Sequence, residues 1–237
     1  MGLISNANGF NCMICEKIKD SPFTCLGFSE LEKLESHRRV VNYRKGETIY
    51  KEGTKPMGLL CLNIGKAKIV RKGNNGSEQI VGLKKPVDFI GLHALVSESH
   101  YNNSAVAMEE ASVCLIEKED FFDVVQNNKE LSLKLIKMLS KELDEAENRF
   151  INMTQKFLRA RLADTMLLLI EVYGTHADDQ TINCILKRRE LAALSNMTTA
   201  NVIRTISAFT KEGIITTENK RLIVKNMELL REISTST

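Results

Sequence analysis

The sequence predicts an α+β chain made of an N-terminal β-roll, one long amphipathic helix and a C-terminal winged helix-turn-helix. Three observations carry that prediction. Glycine-spaced apolar runs fill residues 40–116, a heptad seam runs from 136 to 157, and a strand–helix–turn–helix–hairpin pattern occupies 181–226. The expected organisation is a cysteine-bearing lead over 1–27, a β-roll sensor domain over 28–128, a dimerisation helix over 129–157 and the helix-turn-helix unit over 158–237.

The roll comes first. In "YRKGETIYKEG", "GLLCLNIGKAKIVRKGNNG", "QIVGLKKPVDFIG" and "SAVAMEEASVCLIE", Gly46, Gly53, Gly65, Gly73, Gly76, Gly82 and Gly91 cut the apolar text into short pieces. Short strands separated by turn signals indicate an antiparallel barrel or sandwich, here of about eight strands. "KGNNGSEQI" is a good hairpin turn, because Asn and Gly both accept positive φ.

The long helix follows. Ile136, Leu139, Leu143, Ala146, Phe150, Met153 and Phe157 recur at alternating intervals of three and four, while "KELDEAENR" supplies charge to the outer face. Such a seam can pack on the chain's own β-domain or join two copies as a parallel coiled coil; its regularity favours the second. A second helix, "LRARLADTMLLLIEVYG", ends at Gly174 as a C-cap should.

In the last segment "TINCILK" reads as a short strand and "RRELAALSN" as a first helix. "MTTANVIRTISAFTKEG" reads as a second helix, capped by Thr198 and closed by Gly213. "IITTENKRLIVKN" is a two-stranded wing turning at Glu218 and Asn219. Ala192 and Ala193 are small enough for two helices to cross, and Asn196 suits the left-handed turn. Leu191, Leu194, Met197, Val202, Ile206 and Phe209 form the inner face. The outer face begins with Thr199, Ala200, Asn201, Ile203 and Arg204, followed by Ser207 and Lys211 one and two turns on, and Ser207 joins the expected DNA-binding set. Arg204 is the natural base reader, since a guanidinium bonds guanine O6 and N7 together. Thr198, Thr199 and Asn201 can donate to phosphates or base edges, and Arg188, Arg189, Lys220 and Arg221 can meet the sugar-phosphate backbone.

Charge agrees with that reading. The chain of 237 residues has a net charge of only +3, yet residues 156–237 hold 12 Lys and Arg against 9 Asp and Glu, so the whole surplus sits there. A DNA-binding module on a neutral sensor would place the surplus there, and a solvated basic face with no partner gives the same count. No nucleophile elbow, P-loop, dinucleotide fingerprint or HExxH motif points to an enzyme. No run approaches the roughly 18 apolar residues of a membrane span. "MGLISNANGF" lacks the basic and apolar regions of a secretory signal, so a cytoplasmic chain is expected.

In that compartment "NCMICEKIKDSPFTC" stands out, with Cys12, Cys15 and Cys25 close together. Clustered cysteines there indicate metal or redox chemistry more often than structural disulfides. Cys61, Cys114 and Cys184 lie in apolar strands and read locally as core. Zinc, a reversible Cys12–Cys15 disulfide and an iron–sulfur site all remain open on the residues alone. The four histidines show no ligand spacing; His93 is the one that a pocket or a haem could use.

The ordered set "RKGETIYKEG", "LLCLNIGKAKIV", "DFIG" and "RRELAALSNMTTANVIRTISAFTKEGII" resembles the Crp/Fnr family of bacterial transcription regulators, from about Phe28 to Asn226. That resemblance implies a cyclic-nucleotide-binding-like jelly roll, a homodimer on a two-fold symmetric double-stranded DNA operator, and RNA polymerase as a further partner. In the cyclic-nucleotide branch a Glu follows the "DFIG" turn and an Arg-Ser pair holds the phosphate. Leu92, His93 and Asn103-Ser104 stand there instead, which argues against cyclic AMP. The oxygen-sensing branch holds a [4Fe-4S] cluster on a Cys-x2-Cys-x5-Cys lead and one cysteine of the roll. Cys12, Cys15 and Cys114 match those positions, whereas Cys25 stands further along than the pattern asks. The same branch has a Glu and a Ser where Ala200 and Ile203 stand, so a different operator is implied.

Overall fold

A computed structural model describes residue 19 and residues 21–73, 76–176 and 180–236. The described residues form two compact units, one drawn from 19–72 and 81–143 and one from 73–80 and 144–236.

In the first, a 3-10 turn (Pro22–Cys25) leads into helix α1 (Phe28–Ser36) and the strands β1 (Arg39–Tyr43), β2 (Thr48–Tyr50), β3 (Gly58–Ile64), β4 (Ala67–Lys72), β5 (Glu78–Lys84) and β6 (Phe89–Ile90). A short helix α2 (Leu92–Val96), strands β7 (Ser104–Ala107) and β8 (Ala111–Glu117) and helix α3 (Lys118–Asn127) follow. The strands form two antiparallel sheets in the orders β1-β8-β3-β6 and β2-β7-β4-β5. The roll predicted from the glycine spacing is therefore present; α1, α2 and α3, which decorate it, go beyond that prediction.

β3 explains why. It reads as an unbroken apolar run because both of its faces are covered. Leu60 and Leu62 point into a core with Tyr50, Ile69, Ile90 and Val113. Leu59 and Cys61, one residue out of step, point to a second core with Leu34, Phe89, Ile116, Phe121 and Leu131. Only helices packed on the outside of the first sheet can bury that second face. Gly58 is obligatory at the edge of this packing, because a Cβ there would lie 2.0 Å from the Ile116 carbonyl oxygen. Gly91 opens α2 at φ +69°, and a Cβ on it would strike the Tyr101 ring at 2.4 Å.

Helix α4 (Lys129–Gln155) has 27 residues, about 40 Å. Leu131 and Leu135 are buried in the outer core, and Leu139 packs against it. Beyond them the apolar stripe is bare: Ile136 is 59% exposed, Leu143 59% and Phe150 69%. Ala146 is exposed as well and Met153 half-buried. The expected helix to 157 is too long by two residues. Thr154 bonds back to the carbonyls of Phe150 and Ile151, a competitor of the helical ladder, and Phe157 is extended at φ −69°, ψ 164°. Phe157 therefore caps the next helix and is not on the seam's helix, although it is 73% exposed.

The second unit continues with α5 (Leu158–Tyr173), α6 (Arg188–Ser195), α7 (Thr199–Lys211), β9 (Ile215–Glu218), β10 (Arg221–Val224) and α8 (Met227–Thr235). α5 ends at Gly174, φ +71°, as expected. "TINCILK" is not a regular strand: Thr181 and Ile182 make isolated bridges to Ile223 and Thr175, and the chain then departs. The wing turns one residue later than predicted, at Asn219 (φ +47°) and Lys220 (φ +69°), because Glu218 is still paired with Arg221. Two successive positive φ values match the twist of a tight hairpin. Among the described residues, no helix is long and apolar enough to cross a membrane.

Candidate nucleic-acid interface and sensor cysteines

The helix-turn-helix is built by local chemistry. The backbone N–H of Lys187 donates to Glu190 Oε2 at 2.8 Å, satisfying a free donor at the start of α6. α6 ends at Asn196, left-handed at φ +51°, ψ 49°, and the Met197 N–H returns to the Ala192 carbonyl at 3.0 Å. Asparagine occupies this conformation at less cost than any other residue with a Cβ. The Thr198 hydroxyl then accepts from the Asn201 N–H at 3.2 Å and opens α7. Leu191, Leu194, Val202, Ile206 and Phe209 are buried between the helices, and Met197 is half-buried.

The opposite face of α7 is open. Thr198, Thr199, Ala200, Ile203, Arg204, Ser207 and Lys211 are exposed and Asn201 is half-buried. Four of the five side chains expected to meet DNA from this helix and its cap are thus exposed, and Asn201 is the half-buried one. Arg189, Lys220 and Arg221 are exposed. Arg188 is half-buried, and that burial lowers its pKa while the guanidinium remains charged. The array can do what such faces do: lay a helix in a major groove and rest its flanks on phosphates.

The roll interior is occupied by its own side chains. Tyr50 and Tyr101 stack with ring centroids 3.7 Å apart, and the Tyr50 hydroxyl donates to the amide oxygen of buried Asn103. Burial pushes both phenols up, Tyr101 to about 12. Ser104 accepts from the Glu52 N–H at 2.9 Å. Asn103 and Ser104, where the cyclic-nucleotide branch keeps its phosphate pair, are thus committed within the chain. His93 bonds Asn102 at 3.1 Å on the surface.

Of the four expected cluster ligands, Cys12 and Cys15 lie outside the described residues. Cys25 is half-buried at the end of the 3-10 turn; its thiol donates to the Pro22 carbonyl at 3.3 Å, and it packs on the outer core with Phe23 and Leu26. Cys114 is buried on β8, directly opposite Cys61 on β3. Its sulfur accepts an N–H from Arg38 at 3.3 Å, and Arg38 is itself held by Glu35 through bonds of 2.6 and 2.9 Å. Arg38 lies 76 residues away in sequence, so no local signal could have revealed it. Cys184 is buried, as expected of a core residue, and Cys61 is half-buried.

One histidine does meet metal-type donors. His37, Glu117 and Asp120 bring ligand atoms within 4.8 Å of one another, although Asp120 is bonded to His37 at 2.9 Å and Glu117 to Arg39 at 2.9 Å. Linear spacing concealed this grouping because α1 and α3 are joined only by the fold.

Comparison with known proteins agrees in both units. Residues 40–128 match the cyclic nucleotide-binding domain and residues 160–233 the Crp-like helix-turn-helix domain. The chain is 24% identical over 215 residues to the fumarate nitrate reduction regulatory protein of Klebsiella oxytoca, covering 90% of this chain and 85% of that one. It is 26% identical over 204 residues to the transcriptional activator protein FnrL of Cereibacter sphaeroides, covering 82% and 79%. Among solved structures, FixK2 from Bradyrhizobium japonicum superposes with a TM-score of 0.76 at 21% identity, over 84% of this chain and 98% of that one. A Crp/Fnr-family transcriptional regulator from Thermus thermophilus does so with a TM-score of 0.70 at 22% identity, over 83% and 98%.

Proposed function

The chain belongs to the Crp/Fnr family of DNA-binding transcription regulators, and we propose that it acts as a homodimer whose operator affinity is set by an iron–sulfur site on its cysteines. Dimerisation is supported by the bare stripe of Ile136, Leu143 and Phe150 on α4. Large apolar side chains repeating on one helix face call for a partner, and a second copy supplies the same stripe. Two recognition helices would then read a two-fold symmetric operator in double-stranded DNA. Arg204 would take the base-reading role, and Arg188, Arg189, Lys220 and Arg221 the phosphates. RNA polymerase is the partner such a regulator would act on, in the cytoplasm.

The iron–sulfur part rests on Cys114. A cluster ligand is a thiolate. The sulfur of Cys114 is buried and accepts from the Arg38 guanidinium, and the same cationic donor would hydrogen-bond a thiolate bound to a cluster there. Cys12, Cys15, Cys25 and Cys114 would hold a [4Fe-4S] cluster. When bound, that group supplies electron transfer and lability to oxygen or nitric oxide. The residues themselves would tie the N-terminal lead to β8, and α1 would hold Arg38 against the joint. Cyclic AMP is not the expected effector, given the commitment of Asn103 and Ser104.

The test is iron, acid-labile sulfide and a visible spectrum on protein purified without oxygen. A brown protein with about four irons per chain, bleached by air, supports the reading. Cys25→Ser retaining that iron would remove Cys25 from the ligand set. A colourless preparation that still binds DNA would discard the cluster and leave zinc, thiol oxidation or another ligand to control the regulator.

A further inference from the structure

We propose that Arg159 and Arg161 are positioning residues that hold the recognition helix α7 at both of its ends and tie its pose to the end of α4. Neither belongs to the DNA-facing set, and the inference rests on the DNA-binding reading above while adding a control point to it.

The contacts converge on one helical turn. α4 stops at Gln155 and α5 starts at Leu158, so the Lys156 carbonyl is left without a helical partner. Arg161 Nε donates to that carbonyl at 2.9 Å, and its Nη1 reaches the Asn196 carbonyl at 3.3 Å, in the left-handed turn just before α7. Two residues earlier, Arg159 donates through Nη1 and Nη2 to both carboxylate oxygens of Glu212, at 2.7 and 2.6 Å. Glu212 is the C-cap of α7. The Arg159 guanidinium also lies 4.9 Å over the ring of Phe209, the buried anchor of the same helix. Lys156 completes the turn by pairing with Asp164 at 2.8 Å.

Glu212 is the telling residue. A carboxylate at the C-terminus of a helix opposes the macrodipole, so it does not stand there for the sake of α7 alone. Its partner accounts for it: the hydrogen bond from Arg159 lowers the Glu212 pKa and holds the carboxylate ionised. A planar fork on a carboxylate fixes orientation as well as distance. With Arg161 on the leading turn and Arg159 on the trailing cap, α7 can neither slide nor swing without breaking one of them. Displacement of the last turn of α4 would be felt through the Lys156 carbonyl.

The experiment begins by letting the full wild-type chain select a site from a random-sequence duplex pool. Failure to enrich any sequence would overturn the DNA-reading premise and is seen before any variant is made. Affinity is then measured for Glu212→Gln on the selected duplex and on random duplex, over a series of salt concentrations. Removing a negative charge should tighten binding if charge alone mattered. Positioning requires the opposite: about a fivefold loss per subunit, about 25-fold on a two-half-site duplex, with random-duplex affinity not reduced. The salt slope should stay that of wild type, since no phosphate contact is lost. Arg159→Gln should lose specific binding similarly, and the swap Arg159→Glu with Glu212→Arg should restore it. Unchanged or tighter specific binding by Glu212→Gln, or no recovery in the swap, would overturn the proposal.

Discussion

Phe150→Ala separates a seam that joins two copies from one that supports its own chain. Phe150 is 69% exposed, so the chain alone draws little from it. Fully burying a phenylalanine is worth about 1.5–3 kcal/mol, so covering the remaining 69% is worth about 1–2 kcal/mol. Two-fold symmetry counts it twice, which puts about 2–4 kcal/mol, or about 30- to 1,000-fold, on the dimer dissociation constant. Stability of the separate chain should move by less than about 0.5 kcal/mol, because the position is a solvated helix surface where Ala is a good helix former. Sedimentation equilibrium over a concentration series reads the first quantity, and denaturant unfolding below the dissociation constant reads the second. Leu135→Ala, on the buried face of the same helix, should show the reverse signature and cost about 2–5 kcal/mol of chain stability. A Phe150→Ala dimer as tight as wild type would refute the reasoning and return α4 to a helix without a partner.

Three further outcomes are expected. Asn196→Ala should lower stability by about 1 kcal/mol in thermal or denaturant unfolding, since its φ of +51° penalises a plain Cβ, while Asn196→Gly should not destabilise. Equal losses in both would place the cost in the side chain. His37 should titrate above the ordinary imidazole range because its hydrogen bond to Asp120, then the charge of that carboxylate, favours the protonated ring. A raised folded-state pKa contributes stability that is full below the unfolded value and lost as pH rises through the folded one. An NMR titration should return His37 to ordinary behaviour in Asp120→Asn; no change there would dismiss the pair. Arg204→Ala should cost about 1–3 kcal/mol on the selected operator and relax one base pair per half-site. Equal losses on specific and random duplex would make it a phosphate contact.

Much of this was legible because it is periodic or local. The alternation of three and four from Ile136 to Met153 reports one helix face, and the structure leaves most of that face bare. Asn196, Thr198 and Gly213 act on backbone torsions within a few residues, so their types alone marked the turn, the cap and the stop of α7. The errors are of the same kind. Phe157 keeps the apolar rhythm and so extends the expected helix to 157, although its backbone has already left the helix. The wing turns later than expected because Glu218 and Arg221 extend the ladder by a pair.

By itself the sequence determined that short strands fill 40–116, that one long helix follows with its apolar stripe on one face, and that two helices and a hairpin make the C-terminal unit, whereas α1, α2, α3 and α8 go beyond that reading. The elements it did determine are consequences of short-range torsional preference and of periods of two and 3.6 residues. Only the tertiary structure decided that Arg38 meets Cys114, that Tyr50 is bonded to Asn103, that His37 meets Asp120, that Arg159 meets Glu212 and that Arg161 meets the Asn196 carbonyl. These pairs are separated by 35 to 83 residues. Their geometry depends on how sheets and helices pack, and the identity of either partner alone carries no trace of the other.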